Sequence, residues 1–88
     1  MLTTAREAGH YTAAARKALR RLPLPDQERI RGRVEQYAAN PASLANNVKA
    51  LKGSSYIRLR VGDWRVILDD LGLILEVVKV GSRGGIYD

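Results

Sequence analysis

Between Thr12 and Pro41 apolar positions recur every three or four residues, whereas from Tyr56 to Val80 bulky apolar and polar residues largely alternate. The change of period predicts helices first and strands afterwards. In "TAAARKALRRLP", residues 12–23, Thr12 is placed as an N-cap, Ala15, Ala18, Leu19 and Leu22 share one face, and Pro23 stops the helix. In "PDQERIRGRVEQYAANP", residues 25–41, Pro25 and Asp26 suit a first turn, and Ile30, Val34, Tyr37 and Ala38 form one apolar stripe. This second helix ends before Pro41, and the two make an α-hairpin. Gly32 inside it costs up to about 1 kcal/mol relative to alanine, which points to a close helix contact there.

"PASLANNVKALKGSS", residues 41–55, has turn formers at both ends and weak periodicity, and reads as a connector. Three antiparallel strands follow, "YIRLRV", "WRVILD" and "LILEVVKV", separated by Gly62-Asp63 and by Asp70-Leu71-Gly72. The terminal "GSRGGIYD" offers a brief edge strand around Ile86 and Tyr87, weakened by its glycines.

A two-residue turn at Gly62-Asp63 sets Val61 opposite Trp64, Leu59 opposite Val66 and Ile57 opposite Leu68, all on the core side, with Trp64 as core filler. The same register puts Arg60 opposite Arg65 on the other side, Arg58 opposite Ile67 and Tyr56 opposite Asp69. Like charges directly opposed cost a few tenths of a kcal/mol, roughly, and a phosphate would relieve them. The plainer alternative is that both arginines splay into solvent and pair with Asp63, Asp69 or Glu76.

The 88 residues allow a single domain, residues 1–88, around one core. No apolar run reaches the length of about 18 residues needed to span a membrane, and "MLTTAREAGHYT" lacks the apolar stretch of a secretory signal. A cytoplasmic location is expected. Cysteine is absent and His10 is the single histidine, too few ligands for a Cys/His zinc site, so no metal is expected and His10 reads as a bystander. Fifteen Lys and Arg against nine Asp and Glu give a net charge of +6, which favours an anionic partner. On the first helix Arg16, Lys17, Arg20 and Arg21 form a polar face that either sits in solvent or contacts such a polyanion.

"YIRLRVGDWRVIL", the preceding "ALKG" and the later "VVKVGSRGGIY" resemble toxins of the RelE/ParE superfamily of type II toxin–antitoxin modules, over about Tyr11 to Tyr87. The resemblance implies an α+β fold: a first strand near residues 6–12, a helical hairpin, then a small antiparallel sheet. The alternation of "REAGHYT" by itself gives that first strand little support. Toxins of the RelE type occupy the ribosomal A site and cut the mRNA codon there without metal or cofactor. The ribose 2′-oxygen attacks phosphorus, giving a cyclic phosphate and a free 5′-hydroxyl. The protein then has to accept the 2′ proton, stabilise charge on phosphorus and protonate the leaving oxygen.

By position the resemblance assigns Arg58, Arg65, Arg83 and Tyr87 as active residues, with Arg60 beside them. Arg65 and Arg83 resemble the phosphate-stabilising pair, since a guanidinium fork grips two oxygens at once. Lys52 and the helix cations Arg16, Lys17, Arg20 and Arg21 join Arg60 as expected RNA contacts. Many relatives have a lysine where this chain has Arg58, and arginine is a poor proton acceptor at neutral pH. Lys52 and Tyr87 remain as candidate bases, with Asp63 read as a turn residue. Ser82 stands where relatives often carry a histidine. The implied partners are a cognate antitoxin, the ribosome and mRNA. The alternatives are a ParE-like inhibitor of DNA gyrase that cuts no RNA, and a scaffold that only binds RNA or its antitoxin.

Overall fold

The computed structural model describes residues 7–71 and 74–85. Thr12 caps the first helix, α1 (Ala13–Arg20): its Oγ1 accepts the Ala15 N–H at 3.1 Å and donates to the Val78 carbonyl at 2.8 Å. One hydroxyl therefore starts the helix and ties it to the sheet. In α2 (Leu24–Ala39) the predicted stripe is buried and extends to Gln27. Gln27 is polar, but its Nε2 donates to the Leu22 carbonyl at 2.8 Å, so it closes the end of the preceding helical segment. Gly32 is exposed, and a Cβ built on it would meet nothing within 4 Å. The close contact expected there does not exist, and no packing offsets glycine's conformational cost.

The five strands are β1 (Glu7–Tyr11), β2 (Val48–Ala50), β3 (Tyr56–Val61), β4 (Trp64–Asp70) and β5 (Ile74–Ser82), in the order β1-β5-β4-β3-β2. The fold is α+β with a mixed sheet, since β1 runs parallel to β5 and the other pairs are antiparallel. β1 forms although its own alternation is poor, because β5 supplies a ladder that continues as Thr12 N–H donates to the Val77 carbonyl at 2.9 Å. β2 corrects the reading of residues 41–55 as a connector. Residues Pro41–Asn47 wind as 3₁₀ turns anchored by buried Leu44, and Val48–Ala50 then pair with Ile57–Leu59. Three residues are too few for alternation to register as a pattern.

The β3–β4 register is the predicted one in all six pairs from Val61↔Trp64 to Tyr56↔Asp69. Gly62, at φ +59°, adopts the left-handed conformation that such a tight turn demands. Both helices cover one face of the sheet, where Leu19, Ile30 and Val34 pack with Leu59, Val66, Leu68, Leu75 and Val77. Trp64 is half-buried at the margin of this core instead of deep within it, because it sits directly after the turn at the end of the sheet. Among the described residues no helix is long and apolar enough to cross a membrane. The expected edge strand around Ile86 and Tyr87 lies outside the described residues.

Candidate functional site

Side chains paired in register project from the same face of a sheet, so the pairings define what lies opposite the core. One row across four strands is Lys49, Arg58, Ile67 and Lys79; the next is Arg60, Arg65 and Gly81. Ile67 is buried yet separate from the main core. Basic neighbours on either side give it alkyl stems to lie against, while their charges stay at the surface. Tyr56, two residues before Arg58 in β3, adds an exposed aromatic ring to the same face.

Lys49, Arg58, Arg60 and Arg65, with Asn46, Asn47 and Val48, line an open cleft of about 310 Å³. The cleft exists because the Pro41–Asn47 turns and β2 rise beside the arginine-bearing strand. Arg65 Nη1 donates to the Gly62 and Trp64 carbonyls, both at 2.9 Å. This holds the guanidinium against its own turn, in place of an ion pair with Asp63, Asp69 or Glu76. Asp69 lies at the other end of the hairpin, where it accepts from Ser55 Oγ at 2.8 Å. Pre-positioned cations and amide groups on a half-open floor suit an anion with several oxygens. Among the described residues no three His, Asp or Glu side chains gather into a metal site.

Arg58, Arg60 and Arg65 are thus brought together. Arg83 stands close to the same end of the sheet: its backbone N–H donates to the Asp63 carbonyl at 3.0 Å, which fastens the turn after β5 to the β3–β4 turn. Tyr87 lies outside the described residues. Lys52 is exposed in the turn between β2 and β3, where Leu51 N–H donates to the Tyr56 carbonyl at 3.0 Å, and it does not line the cleft. Tyr56, where that turn joins β3, is itself four strand positions, about 13 Å, from Arg60. Arg16, Lys17 and Arg20 on α1, and Arg21 capping its C-terminal end, are exposed across the sheet from the cleft.

On that helix side Tyr11, Arg16, Leu19 and Arg31 line a second hollow of about 230 Å³. Burial pushes the Tyr11 phenol above its ordinary pKa; nearby Arg31 opposes this and Glu35 adds to it. Lys49, Asn46 and Asn47 escaped sequence reasoning because β2 was hidden in a segment without periodicity. The signal available was Lys49 itself, an isolated cation three residues before Lys52.

A family model described as the ParE toxin of the type II toxin–antitoxin system parDE matches residues 7–87. Among curated proteins none matches the sequence. A solved RelB–RelE antitoxin–toxin complex from Methanococcus jannaschii contains a similar chain, 26% identical, with a TM-score of 0.72 over 90% of this chain and 95% of that one. The archaeal RelE–RelB complex from Pyrococcus horikoshii OT3 contains another, 25% identical, with a TM-score of 0.73 over 93% and 98%. The RelBE2 complex of Mycobacterium tuberculosis, at 22% identity and a TM-score of 0.58 over 94% and 95%, shares the fold. With nearly its whole length matched by the family model and its fold shared with RelE chains, the protein belongs to the ParE toxin family, within the RelE/ParE superfamily of toxin–antitoxin toxins.

Proposed function

We propose that this toxin is a metal-independent endoribonuclease that cuts mRNA in the ribosomal A site. The observation that carries the reading is the cleft in which Arg58, Arg60 and Arg65 converge with Lys49. Three guanidiniums converging on an open cleft with two asparagines are a poor stabilising device and a good receptor for a phosphodiester. In this reading Arg65, pinned by two carbonyls, and Arg83 meet the charge that grows on phosphorus as the 2′-oxygen attacks. Arg58 orients the backbone and Tyr87 stacks on or orients the nucleotide. Lys49, paired with Arg58 across β2 and β3, adds a further cation to the contacts with the phosphodiester.

The second reading, inhibition of DNA gyrase without RNA cleavage, is favoured by the family model's own description and by the arginine at position 58. The partner in either case is an antitoxin, as in the RelE–RelB complexes that the chain resembles. The two readings separate in one experiment. Purified toxin is added to ribosomes carrying a defined A-site codon, and RNA ends are mapped. Cleavage within that codon, with cyclic phosphate and 5′-hydroxyl ends, is the expected result. Intact mRNA together with gyrase-dependent DNA breaks would establish the second reading instead.

A further inference from the structure

The Gly62-Asp63 turn is a junction of three segments. Arg65 Nη1 donates to the Gly62 carbonyl at 2.9 Å, and the Arg83 N–H donates to the Asp63 carbonyl at 3.0 Å. From the helix side, Arg29 Nη1 stands 3.6 Å from the point that a Cβ on Gly62 would occupy. Gly62 has φ +59°, so glycine is the residue that fits there and no side chain separates the Arg29 guanidinium from the turn. A helix residue that plays no part in the cleft therefore reaches the tip of the hairpin that builds it.

We infer that Arg29 continues the cationic path of the cleft over the hairpin tip and binds the phosphodiester backbone of single-stranded RNA that extends beyond the nucleotides in the cleft. The inference rests on the ribonuclease reading and names a contact outside its reacting centre. Along β3, Arg58 and Arg60 are two residues, about 6.6 Å, apart on one face, and Arg65 stands directly across from Arg60 with its guanidinium drawn to the turn. Arg83 and Arg29 flank that turn. Two carboxylates lie near this path: Asp63 in the turn, and Asp26, which meets Arg29 at 4.0 Å. That pair is at the limit of contact and the Arg29 side chain is 56% exposed, so Asp26 holds it weakly and leaves it available to an incoming anion. Arg60, Arg65, Arg83 and Arg29 outnumber the two acids, so the path stays cationic.

The test compares RNA lengths. Binding of a single-stranded RNA of about 4 nucleotides, enough to fill the cleft, and of one of about 16 is measured over a range of salt concentrations. Arg29→Ala is expected to weaken the longer RNA roughly threefold to tenfold and to lower its salt slope by about 0.7, while leaving the shorter RNA unchanged. Arg29→Lys should restore most of the slope. Arg31→Ala, on the opposite face of the same helix, removes the same charge and should change neither RNA. Equal effects of Arg29→Ala on both lengths, equal effects of Arg29→Ala and Arg31→Ala, or no effect of Arg29→Ala would each overturn the inference. Arg65→Ala separates this from failure of the functional reading: it should weaken both lengths. An Arg65→Ala protein that binds both RNAs like wild type would remove the cleft reading and the Arg29 path with it.

Discussion

On the helix side of β3 and β4, Leu59, Val66 and Leu68 are fully buried and pack against residues from both helices. One position along the same strands, Arg58, Arg60 and Arg65 occupy the opposite side and line an open cleft. The first side stabilises the fold, at about 25 cal/mol for each Å² of apolar surface removed from water. The second does not, because Arg60 and Arg65 face each other directly and opposed like charges cost a few tenths of a kcal/mol, roughly. A hairpin that shields its core with one side and concentrates cations on the other divides structure from recognition by the period-2 alternation of a strand. Arg65 shows how the second side is kept ordered: the turn's own carbonyls hold it, so its position needs no anionic partner.

This contrast can be broken by substitution on either side. Leu68→Ala should cost about 3–5 kcal/mol, measured by denaturant unfolding, because it opens a cavity where no surface is exposed. A cost under about 1 kcal/mol would mean that the helix side repacks and is not the stabilising one. Arg60→Ala should leave stability unchanged or raise it by a few tenths of a kcal/mol, roughly, since it removes one of two opposed charges. A marked loss of stability would make the cationic side structural.

The smallest effect is confined to alkaline pH. Burial raises the Tyr11 phenol in the folded state, so its contribution is fully present below the unfolded phenol pKa, about 10, and is lost as pH rises through the higher folded value. Tyr11→Phe should therefore lose less stability than wild type between pH 8 and pH 11, by paired unfolding curves. Parallel losses in the two proteins would show that Tyr11 does not sense its burial.

Much of this division was legible in the sequence because it follows from period and turn chemistry alone. Gly62-Asp63 between two alternating runs determined which residues face each other, and the structure keeps every pair. Thr12 likewise declared its helix through one side-chain oxygen. What stayed hidden depends on partners distant in sequence. β1 is a strand because β5 lies beside it, β2 is too short to show a pattern, and Lys49 joins the cleft only through pairing with Arg58. Gly32 misled for a related reason: a glycine in a helix announces freedom of packing, but only the neighbours decide whether anything packs there, and none does. Arg29 is the extreme case. Its place beside Gly62 is set by how α2 lies over the sheet, and nothing in its own neighbourhood of sequence indicates it.

The central claim is that the cationic side of the hairpin acts on a phosphate, and Arg65 tests it most directly. Single-turnover cleavage of A-site mRNA by Arg65→Ala should fall by roughly 10²–10³ relative to wild type, with ribosome binding much less affected and the unfolding transition in place. Arg65→Lys should recover part of the rate, since an ammonium cannot reproduce the two-point grip of a guanidinium. Cleavage at the wild-type rate by a folded Arg65→Ala protein would contradict the account.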